Sequence, residues 1–471
     1  MHYISTRGAP ARLDFVEAML SGLARDGGLY VPYSWPRLSP ATIAGFAGRP
    51  YAEVAVEVIK PFVGSAIAEV DLARIAHEAY GSFRHPAVAP LVQLGDNLFV
   101  LELFHGPTLA FKDLAMQLVA RLMDHVLKQR GERTTIVVAT SGDTGGAAVE
   151  AFRGRDQVDV VALYPHGRIS DVQRRMMTTP TDDNVHSIAV EGTFDDCQAL
   201  VKAMFNHHAF RDRVRLSGVN SINWGRIVAQ AVYYFTAAVA LGAPHRRIAF
   251  TVPTGNFGDV YAGYVASKMG LPVDRLVVAT NVNDILARTL ATGDYETRQV
   301  VATSSPSMDI QVSSNFERLL YETCGRDAAK VNALMGSLAQ SGRFSVPGEA
   351  LKEMRTLFSA DRADEQEVDA EIRAWMKEAS YCADPHTAVA LAVAEKETRD
   401  PKVPMVVLST AHPAKFPDAV KAACGVEPGL PDWLSDLPNK AERFTVLPAD
   451  QAKIEQFVAS ASRAARDGAG V

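Results

Sequence analysis

The chain has 471 residues, of which 48% are hydrophobic and 22% are charged, and its formal net charge is −6. This composition is typical of a soluble globular protein, and the lack of a strongly basic block argues against nucleic-acid binding as the main activity. An anionic substrate is compatible with it, because such a ligand needs only a local basic pocket. The first residues lack the apolar run of a signal peptide, and no stretch is apolar enough to cross a bilayer, so we expect a cytoplasmic protein without a membrane partner.

The amino-terminal part differs in pattern from the rest of the chain. "FVEAMLSGLARDGGLYVP" predicts a helix, a glycine-rich turn and a short strand. The connections "WPRLSPATIAGF" and "YGSFRHPAVAP" are punctuated by proline and glycine. We interpret residues 1–95 as an N-terminal segment that leads into the main fold.

From residue 96 onward, short β-branched runs recur, each followed by a loop and a helical pattern. The clearest examples are "RTTIVVATSGDTGGAAVEAF", "VHSIAVEGTFDDCQALVKAMF", "RRIAFTVPTGNFGDVYAGYVASKMG" and "VPMVVLSTAHPAKFPDAVKAA". Continuous apolar strands that alternate with helices predict a parallel sheet covered on both faces, and the fold class is therefore α/β. We expect two such units, a smaller domain at residues 96–235 and a larger one at residues 236–471.

Two later regions break this alternation. Residues 303–368 contain several helical patterns and are a candidate insertion. The tail after Cys424 is rich in proline and then predicts an amphipathic helix in "ADQAKIEQFVASASRAA". The four cysteines form no C-x-x-C pair, so we expect free thiols in a reducing compartment and no metal site. They are Cys197, Cys324, Cys382 and Cys424.

The first candidate loop contains a lysine in apolar surroundings. The predicted strand "NLFVLEL" leads into "FHGPTLAFKD", and a helix is expected to begin near Lys112. Desolvation by apolar neighbours favours a neutral amine, which is nucleophilic and can form a Schiff base with a carbonyl. The alternative is a lysine whose stem covers the core while its amine reaches water, although a cation is unfavourable at a helix amino terminus.

The second and third candidate loops are glycine-rich and each joins a strand to a helix. "TSGDTGGAA" and "PTGNFGDVYAG" expose backbone N–H groups at a helix start, which suits an anion, and neither has a Walker sequence. The alternative for the second loop is a tight turn capped by Asp143 or Thr144. In the third loop Asp259 would repel a phosphate, so we expect its side chain to point away and cap the helix.

The three loops together indicate one cofactor. In open α/β sheets ligands bind beyond the carboxyl ends of the strands, where all three loops are expected to lie. A buried lysine for an aldehyde and a cradle for a phosphate, on different strands, favour pyridoxal phosphate.

Seven segments of the chain resemble the motifs of a known family. The segments "GLARDGGLYVP", "HGPTLAFKD", "TSGDTGGAA", "NSINWGR", "PTGNFGD", "SSPSMDIQVSSNFER" and "STAHPAKF" occur in the order found in threonine synthases of the bacterial and fungal branch. The matches run from about Gly22 to Lys415 and cover most of the chain. The resemblance implies the fold of the tryptophan synthase β-subunit class of pyridoxal 5'-phosphate enzymes, two parallel-sheet units with an N-terminal extension. It also implies conversion of O-phospho-L-homoserine and water to L-threonine and phosphate, by γ-elimination and β-addition of water.

The resemblance carries roles to particular positions. Lys112 matches the lysine that forms the Schiff base and serves as general base, and Thr410 matches a hydroxyl that faces the pyridine nitrogen. The residues that match the loop around the cofactor phosphate are Gly255, Asn256, Phe257, Gly258 and Asp259. The residues that match the loop at the substrate carboxylate and the cofactor ring are Ser141, Gly142, Asp143 and Thr144. An ionised Asp143 beside the phenolate oxygen of the cofactor would repel it, which leaves its role open.

Further residues are candidates for the substrate and for proton transfer. The departing phosphate needs cations, for which we favour Arg226 and Lys415, and Asn220 and Asn223 are candidate hydrogen-bond donors. The alternative cations are Arg168, Arg174 and Arg175. His105 and His412 are candidates for a proton shuttle, with packing beside a turn as the alternative. Met308 and Asp309 are candidates for shaping the substrate pocket, with a structural turn as the alternative.

The sequence is also compatible with three rival functions. The first is another pyridoxal phosphate enzyme of the same fold, such as an amino-acid dehydratase. The second is a threonine synthase-like phospho-lyase, which releases a keto acid and ammonia. The third is a non-catalytic ligand-binding α/β protein. We expect a monomer or a homodimer with a small-molecule substrate and no nucleic-acid partner.

Overall fold

The computed structural model describes residues 1–467, whose strands form two main sheets and two small ribbons. The strands are β1 (Tyr3–Ser5), β2 (Tyr30–Pro32), β3 (Leu91–Gly95), β4 (Leu98–Glu102), β5 (Thr134–Ala139), β6 (Val158–Pro165), β7 (Val185–Glu191), β8 (Leu216–Ser217), β9 (Ile248–Pro253), β10 (Val273–Thr280), β11 (Asp294–Glu296), β12 (Arg343–Ser345), β13 (Phe358–Arg362), β14 (Met405–Ser409) and β15 (Thr445–Pro448).

The larger sheet has six strands in the order β13-β10-β9-β14-β4-β3, and the smaller has five in the order β15-β7-β6-β5-β8. All pairs in the smaller sheet are parallel, and the larger sheet is parallel except at its edge, where β3 runs antiparallel to β4. The central strands β5, β6, β9 and β14 are buried along their whole length, as the continuous apolar runs predict. The predicted α/β class is confirmed.

Helices cover both sheets and fill the amino-terminal part. They are α1 (Phe15–Ser21), α2 (Pro40–Ala44), α3 (Tyr51–Val63), α4 (Glu69–Tyr80), α5 (Lys112–Arg130), α6 (Asp143–Phe152), α7 (Asp171–Thr178), α8 (Phe194–Asn206), α9 (His208–Arg213), α10 (Trp224–Ala240), α11 (Gly258–Lys268), α12 (Ile285–Thr292), α13 (Phe316–Thr323), α14 (Ala328–Ser341), α15 (Gly348–Leu357), α16 (Glu365–Ala379), α17 (Pro385–Lys396), α18 (Pro417–Cys424), α19 (Gln451–Ala461) and α20 (Arg463–Asp467). Among the described residues, no helix is both long and apolar enough to cross a lipid bilayer.

One continuous core joins the N-terminal segment to both sheets. Trp224 at the start of α10 lies at its centre and contacts the rings of Tyr3, Trp35 and Phe62. α10 itself packs against α3, α5 and α11. The N-terminal segment is therefore fixed to the helices that carry the candidate loops.

The sheets divide the chain differently from its linear order. The strand β4 lies within residues 96–235 but belongs to the larger sheet, and β15 returns from the carboxyl-terminal part to the edge of the smaller sheet. The candidate insertion at residues 303–368 contains α13 to α15, but it also supplies β13 to the edge of the larger sheet. The domain boundaries at residues 95 and 235 stay a prediction.

Candidate active site

One pocket lies at the carboxyl ends of strands from both sheets. The loops that follow β4, β5, β9 and β14 all contribute to its wall. The predicted residues that line it are Lys112, Ser141, Asp143, Thr144, Asn220, Arg226, Gly255, Asn256, Phe257, Gly258, Asp259 and Thr410. This position follows from the parallel sheets, because the carboxyl ends of parallel strands share one edge.

Lys112 is the first residue of α5 and is only 8% exposed. Its Nζ atom lies 4.6 Å from the centroid of the Phe111 ring and 3.4 Å from Oδ2 of Asp143. Burial lowers the pKa of Lys112, and the cations Lys415 and Arg226 lower it further, whereas Asp143 raises it. Burial is the largest of these effects, so the amine is more readily neutral than that of an exposed lysine.

Asp143 is the acceptor for three donors from three parts of the chain. Its Oδ1 atom lies 2.6 Å from Nζ of Lys415 and accepts a hydrogen bond of 2.9 Å from Nε2 of Gln173, while Oδ2 faces Lys112. Although burial raises the pKa of Asp143, the two lysines and Gln173 together hold it well below its usual range. The carboxylate therefore remains ionised, and its charge is compensated within the protein.

Lys415 is completely buried and is already engaged by the protein. Besides its ion pair with Asp143, its Nζ atom donates to the backbone oxygen of Thr108 at 2.9 Å. It lines a second, outer cleft that adjoins the pocket rather than the pocket itself. The structure thus gives Lys415 a role that the sequence did not indicate, and its contact with a substrate phosphate stays a prediction.

The "TSGDTGGAA" loop is held by Thr140, which the sequence analysis missed. Oγ1 of Thr140 accepts from the backbone N–H groups of Gly142 and Gly145, at 2.9 Å each. The cap of α6 is Gly142, whose φ of 133° is a conformation that side chains rarely adopt. The alternative interpretation, in which the side chain of Asp143 or Thr144 caps the helix, was wrong. The Asp143 side chain instead points inward to Lys112 and Lys415.

The "PTGNFGD" loop places a backbone turn directly against its neighbours. A Cβ atom on Gly255 would lie 2.8 Å from the backbone oxygen of Ser307, so only glycine fits there. The next turn contains Phe257 at φ 61°, in the left-handed region, as the cap of α11. Such a conformation is unfavourable for a non-glycine residue and persists only where the surroundings hold it.

Asp259 points away from the helix start, as predicted, but it does not cap the helix. Its Oδ1 atom accepts from the hydroxyl groups of Tyr233 at 2.6 Å and Tyr234 at 2.9 Å, both on α10. Burial raises the pKa of Asp259 to about 6, although the two tyrosines and the cations Lys112 and Arg226 lower it. The carboxyl group therefore ties α11 to α10.

Arg226 is a buried cation in the first turn of α10. It is 2% exposed, its Nη1 atom donates to the backbone oxygen of Val219 at 3.1 Å, and its buried Nε atom has no hydrogen-bond partner. Burial lowers its pKa to about 10, which leaves it charged at neutral pH. A buried guanidinium with an unused donor on the wall of a pocket is suited to an anionic ligand.

The two predicted asparagines have different surroundings. Asn220 lines the pocket, but Asn223 is fully buried and caps α10. Both amide hydrogens of Asn223 are used, in bonds to the backbone oxygens of Met19 and Gly218, and its Oδ1 atom accepts from the backbone of Gly225. The predicted donation from Asn223 to the substrate was therefore wrong, because its amide is fully engaged in the fold.

Thr410 and His386 complete the wall at the larger sheet. Thr410 follows β14 directly, and its backbone oxygen accepts from the N–H of Phe111 at 2.8 Å, which fixes it beside Lys112. His386, which the sequence analysis missed, has Nδ1 2.7 Å from Oδ2 of Asp384, and its Nε2 accepts from the N–H of Ser307 at 3.3 Å. No local pattern identifies His386, since it lies at the start of an apolar helix, α17, that is buried along nearly its whole length.

The two histidines considered for proton transfer lie outside this pocket. His105 has Nε2 2.7 Å from Oε2 of Glu102, and Nδ1 of His412 accepts from the N–H of Ala414 at 3.1 Å. Both line a separate cleft near Tyr381, and burial lowers the pKa of His412 to about 4. The positions of both histidines fit the alternative interpretation, in which they pack at a turn.

The two candidates for wall positions also differ. Met308 lies on the pocket wall, whereas the Asp309 carboxylate accepts hydrogen bonds from Asn281, Asn283 and Thr303 as part of a turn.

The alternative arginines also separate into two kinds. Arg174 donates to both carboxylate oxygens of Glu442, at 2.8 Å and 3.0 Å, and Arg175 lies 3.6 Å from the same carboxylate. Arg168 is exposed and lines the outer cleft with Lys415. Of the three, only Arg168 lines the outer cleft, and its contact with an anion stays a prediction.

Known proteins match this chain over nearly its full length. Residues 2–80 match the family model for the threonine synthase N terminus, residues 84–410 the model for pyridoxal-phosphate dependent enzymes, and residues 387–458 the model for the threonine synthase C-terminal part. The chain is 53% identical to threonine synthase of Pseudomonas aeruginosa over 459 residues, which is 97% of this chain and 98% of that protein.

Two solved structures agree with the sequence matches. A crystal structure of threonine synthase from Brucella melitensis with PLP bound is 58% identical, with a TM-score of 0.95, and covers 98% of this chain and 100% of its own. The structure of yeast threonine synthase is 38% identical with a TM-score of 0.92, and the match covers 98% of each chain.

Proposed function

Because the chain belongs to the threonine synthase family, we propose that it converts O-phospho-L-homoserine and water to L-threonine and phosphate, with pyridoxal 5'-phosphate as its cofactor. The observation that carries this proposal is the position of Lys112, a buried amine at a helix start in the same pocket as two glycine-rich turns. The matches to relatives along nearly the full length support the same reaction.

The residues present fit the cofactor in three respects. A buried lysine with a lowered pKa suits attachment of an aldehyde. The turn from Gly255 to Gly258 presents bare backbone at the start of α11, which suits a phosphate. The hydroxyl-bearing Thr410 lines the same pocket, and we assign its hydroxyl to the pyridine nitrogen. When bound, the cofactor supplies an aldehyde for the lysine and a conjugated ring that accepts electrons.

The chain's own residues supply proton transfer and charge. Lys112, once free, is the base within reach of a substrate proton, and its lowered pKa keeps a neutral amine available. Asp143 stays ionised but is neutralised by Lys415, so its charge does not dominate the pocket. Arg226 adds a positive charge that favours a phosphate group, either of the cofactor or of the substrate. We assign Asn220, Ser141 and Thr144 to substrate contacts.

The test is an assay of purified protein with O-phospho-L-homoserine in water labelled with heavy oxygen. We expect equal amounts of L-threonine and phosphate, with the label on the threonine hydroxyl because water adds at Cβ. Threonine without the label would contradict this order of steps. Homoserine and O-acetylhomoserine serve as control substrates, and we expect both to react far more slowly, since neither carries the phosphate charge.

The same assay separates the rival functions. A phospho-lyase would release a keto acid and ammonia in place of threonine. An amino-acid dehydratase would leave O-phospho-L-homoserine unchanged but would act on serine or threonine supplied in its place. A ligand-binding protein without activity would give no product at all. A monomer or a homodimer in the cytoplasm, without a nucleic-acid partner, is part of the proposal, and light scattering on the purified protein distinguishes the two assembly states.

A further inference from the structure

A buried arginine outside the pocket contacts one of the two chain segments that approach the pocket from the two sheets, and it reaches the other through Asn315. Arg318, on α13, is 0% exposed and lies against the ring of Trp224, with 5.6 Å from its Cζ to the ring centroid. Its guanidinium donates to three neutral oxygens, which are the backbone oxygens of Tyr30 at 3.0 Å and Ile222 at 2.6 Å and the Oδ1 atom of Asn315. Burial lowers its pKa to about 10, so it remains charged at neutral pH.

Asn315 continues this contact to the glycine-rich turn. Its Nδ2 atom donates to the backbone oxygen of Asn256 at 2.9 Å and to that of Ser221 at 3.3 Å, and its own N–H also donates to Asn256, at 3.1 Å. Nδ2 would lie only 3.3 Å from a Cβ atom on Gly258. Asn315 is thus packed directly on the turn and holds the peptide group between Asn256 and Phe257.

That peptide group needs external support. Phe257 has a φ of 61°, a conformation that is unfavourable for a non-glycine residue and requires the surroundings to fix it. Two hydrogen bonds from Asn315 to the preceding carbonyl provide this, and Arg318 fixes the Oδ1 atom of Asn315 in turn. Because an asparagine amide can flip, the arginine also decides which side of it faces the turn.

The second segment is held by the same pair. Ser221 and Ile222 lie in the link from β8 of the smaller sheet to α10, and Asn220 and Ser221 line the pocket. Asn256 follows β9 of the larger sheet. Arg318 and Asn315 therefore join the chain leaving one sheet to the chain leaving the other, at the point where the pocket is formed.

We propose that Arg318 is a positioning residue for cofactor binding, which acts through Asn315 to hold the Gly255–Gly258 turn in its phosphate-binding shape and through Ile222 to hold the Asn220–Ser221 link beside it. This inference rests on the proposed function, because it concerns the cofactor of that reaction. A lysine at position 318 has one nitrogen and cannot reach all three oxygens, so the planar fork of arginine is required.

The chain offers a matched control in Arg326. This arginine also binds backbone oxygens beside β2, those of Pro32 and Tyr33, and it pairs with Glu322, but it contacts neither segment of the pocket. Arg326→Met therefore removes a comparable tie to the N-terminal segment without disturbing the turn. Any effect common to Arg318→Met and Arg326→Met is structural.

The experiment measures cofactor affinity of the full-length apo protein by titration, followed by absorbance, with pyridoxal 5'-phosphate and with pyridoxal, which lacks the phosphate. We expect Arg318→Met to bind pyridoxal 5'-phosphate at least tenfold more weakly than wild type, Arg318→Lys to be intermediate, and Arg326→Met to stay within twofold. Pyridoxal affinity is expected to change less than twofold in all of them, because the turn acts on the phosphate. Asn315→Ala, which keeps the bonds of Arg318 to Tyr30 and Ile222, decides the question if Arg318→Met does not fold.

Three results would overturn the inference. They are pyridoxal 5'-phosphate affinity within twofold of wild type in both Arg318→Met and Asn315→Ala, an equal loss of affinity for the two ligands, and an equal loss in Arg326→Met. If the wild-type protein itself failed to bind pyridoxal 5'-phosphate, the proposed cofactor would be wrong. Threonine formation by wild type together with unchanged affinity in the variants would remove the role of Arg318 alone.

Discussion

Lys112 combines an unfavourable position with a chemical role. A buried amine destabilises the fold unless a partner compensates it, and the Asp143 carboxylate at 3.4 Å is a weak partner because it is bound more closely by Lys415. We expect Lys112→Ala to keep its thermal midpoint while losing nearly all turnover and the absorbance of the lysine-bound cofactor. Lys128→Ala, in the exposed last turn of the same helix, is the control. A Lys112→Ala protein that keeps this absorbance without an added amine would show that another lysine holds the cofactor.

The second prediction at the residue scale concerns Lys415. Its charge lowers the pKa of Lys112, and its removal also leaves Asp143, whose charge raises that pKa, without its closest partner. Lys415→Met is therefore expected to raise the pKa of Lys112. The neutral fraction of an amine grows as the pH rises through its pKa, so cofactor attachment to the apo variant is expected to be slow at pH 7 and to approach the wild-type rate at high pH.

The measurement is the rate of cofactor attachment as a function of pH, with the thermal midpoint recorded alongside. The midpoint is needed because removing one partner of a buried ion pair costs about 3–5 kcal/mol. Lys421→Met is the matched control, since Lys421 is exposed and pairs with Glu427 at 2.7 Å. A profile that shifts to lower pH, or does not move, would contradict the role given to Lys415.

Site residues that differ in type from their sequence neighbours were predictable. Site residues whose role depends on contacts with distant parts of the chain were not. Lys112 is a cation in an apolar loop, and the glycines follow predicted strands, so both were found from local pattern. Gln173 lies 30 positions from the Asp143 carboxylate that it orients, and nothing in its own helix indicates this contact. Asn223 shows the converse error, because a motif match cannot tell a ligand contact from a helix cap.

At the scale of elements, the Asp259 carboxyl group adds a titratable link between α10 and α11. Burial raises the pKa of Asp259 from 3.8 to about 6, so the folded state holds its proton more tightly than the unfolded chain. Its stabilising contribution is present below pH 4 and is lost as the pH rises through 6. Asp259→Asn cannot ionise, and its Oδ1 atom still accepts from Tyr233 and Tyr234.

Asp259→Asn is therefore expected to be more stable than wild type at pH 8, by at most about 3 kcal/mol, with the difference shrinking as the pH falls to 5. Urea denaturation of the apo proteins at both pH values measures this. Asp418→Asn is the control, because Asp418 also lies in the first turn of its helix but is exposed. A difference that grows at pH 5 would mean that the carboxyl group is stabilising when ionised.

Helices and strands were predictable where the apolar pattern is strong, but the pairing of strands within the sheets was not. The strand and helix of each βα unit were expected from their period, and β5, α6, β9 and α11 occur where the sequence indicates them. The short strand β15 was missed because "TVLP" follows a proline-rich tail and is stabilised by its pairing with β7. The edge strand β13 depends in the same way on β10, within a region that the helical pattern dominates.

At the scale of the molecule, the two sheets bring four cations from distant parts of a net negative chain to two adjoining clefts. These cations, Lys112, Arg226, Lys415 and Arg168, come from four different segments, and carboxyl groups that include Asp143 and Asp259 line the same clefts. Asp143 pairs with Lys415 at 2.6 Å, whereas Arg226 keeps an unused donor on the pocket wall, which suits an anionic substrate. This arrangement could not be derived from composition, because it depends on which strands are neighbours.

The last prediction tests where this positive charge acts on the substrate. Arg168 is exposed on the outer cleft, whereas Arg174 on the same stretch is bound to both oxygens of Glu442. We expect Arg168→Ala to raise KM for O-phospho-L-homoserine on the order of tenfold, since a charge-assisted hydrogen bond contributes about 1.5–3 kcal/mol and 1.4 kcal/mol is tenfold. Neither kcat nor the absorbance of the bound cofactor is expected to change. Steady-state kinetics at low and high ionic strength measure this, and added salt is expected to raise KM less in the variant than in wild type, because a screened contact is already absent. Arg174→Ala is the matched control, with KM unchanged and a lower thermal midpoint from the loss of its bonds to Glu442. If Arg168→Ala keeps the wild-type KM while Arg226→Ala raises it, the substrate phosphate lies in the inner pocket and the outer cleft serves only as its entrance.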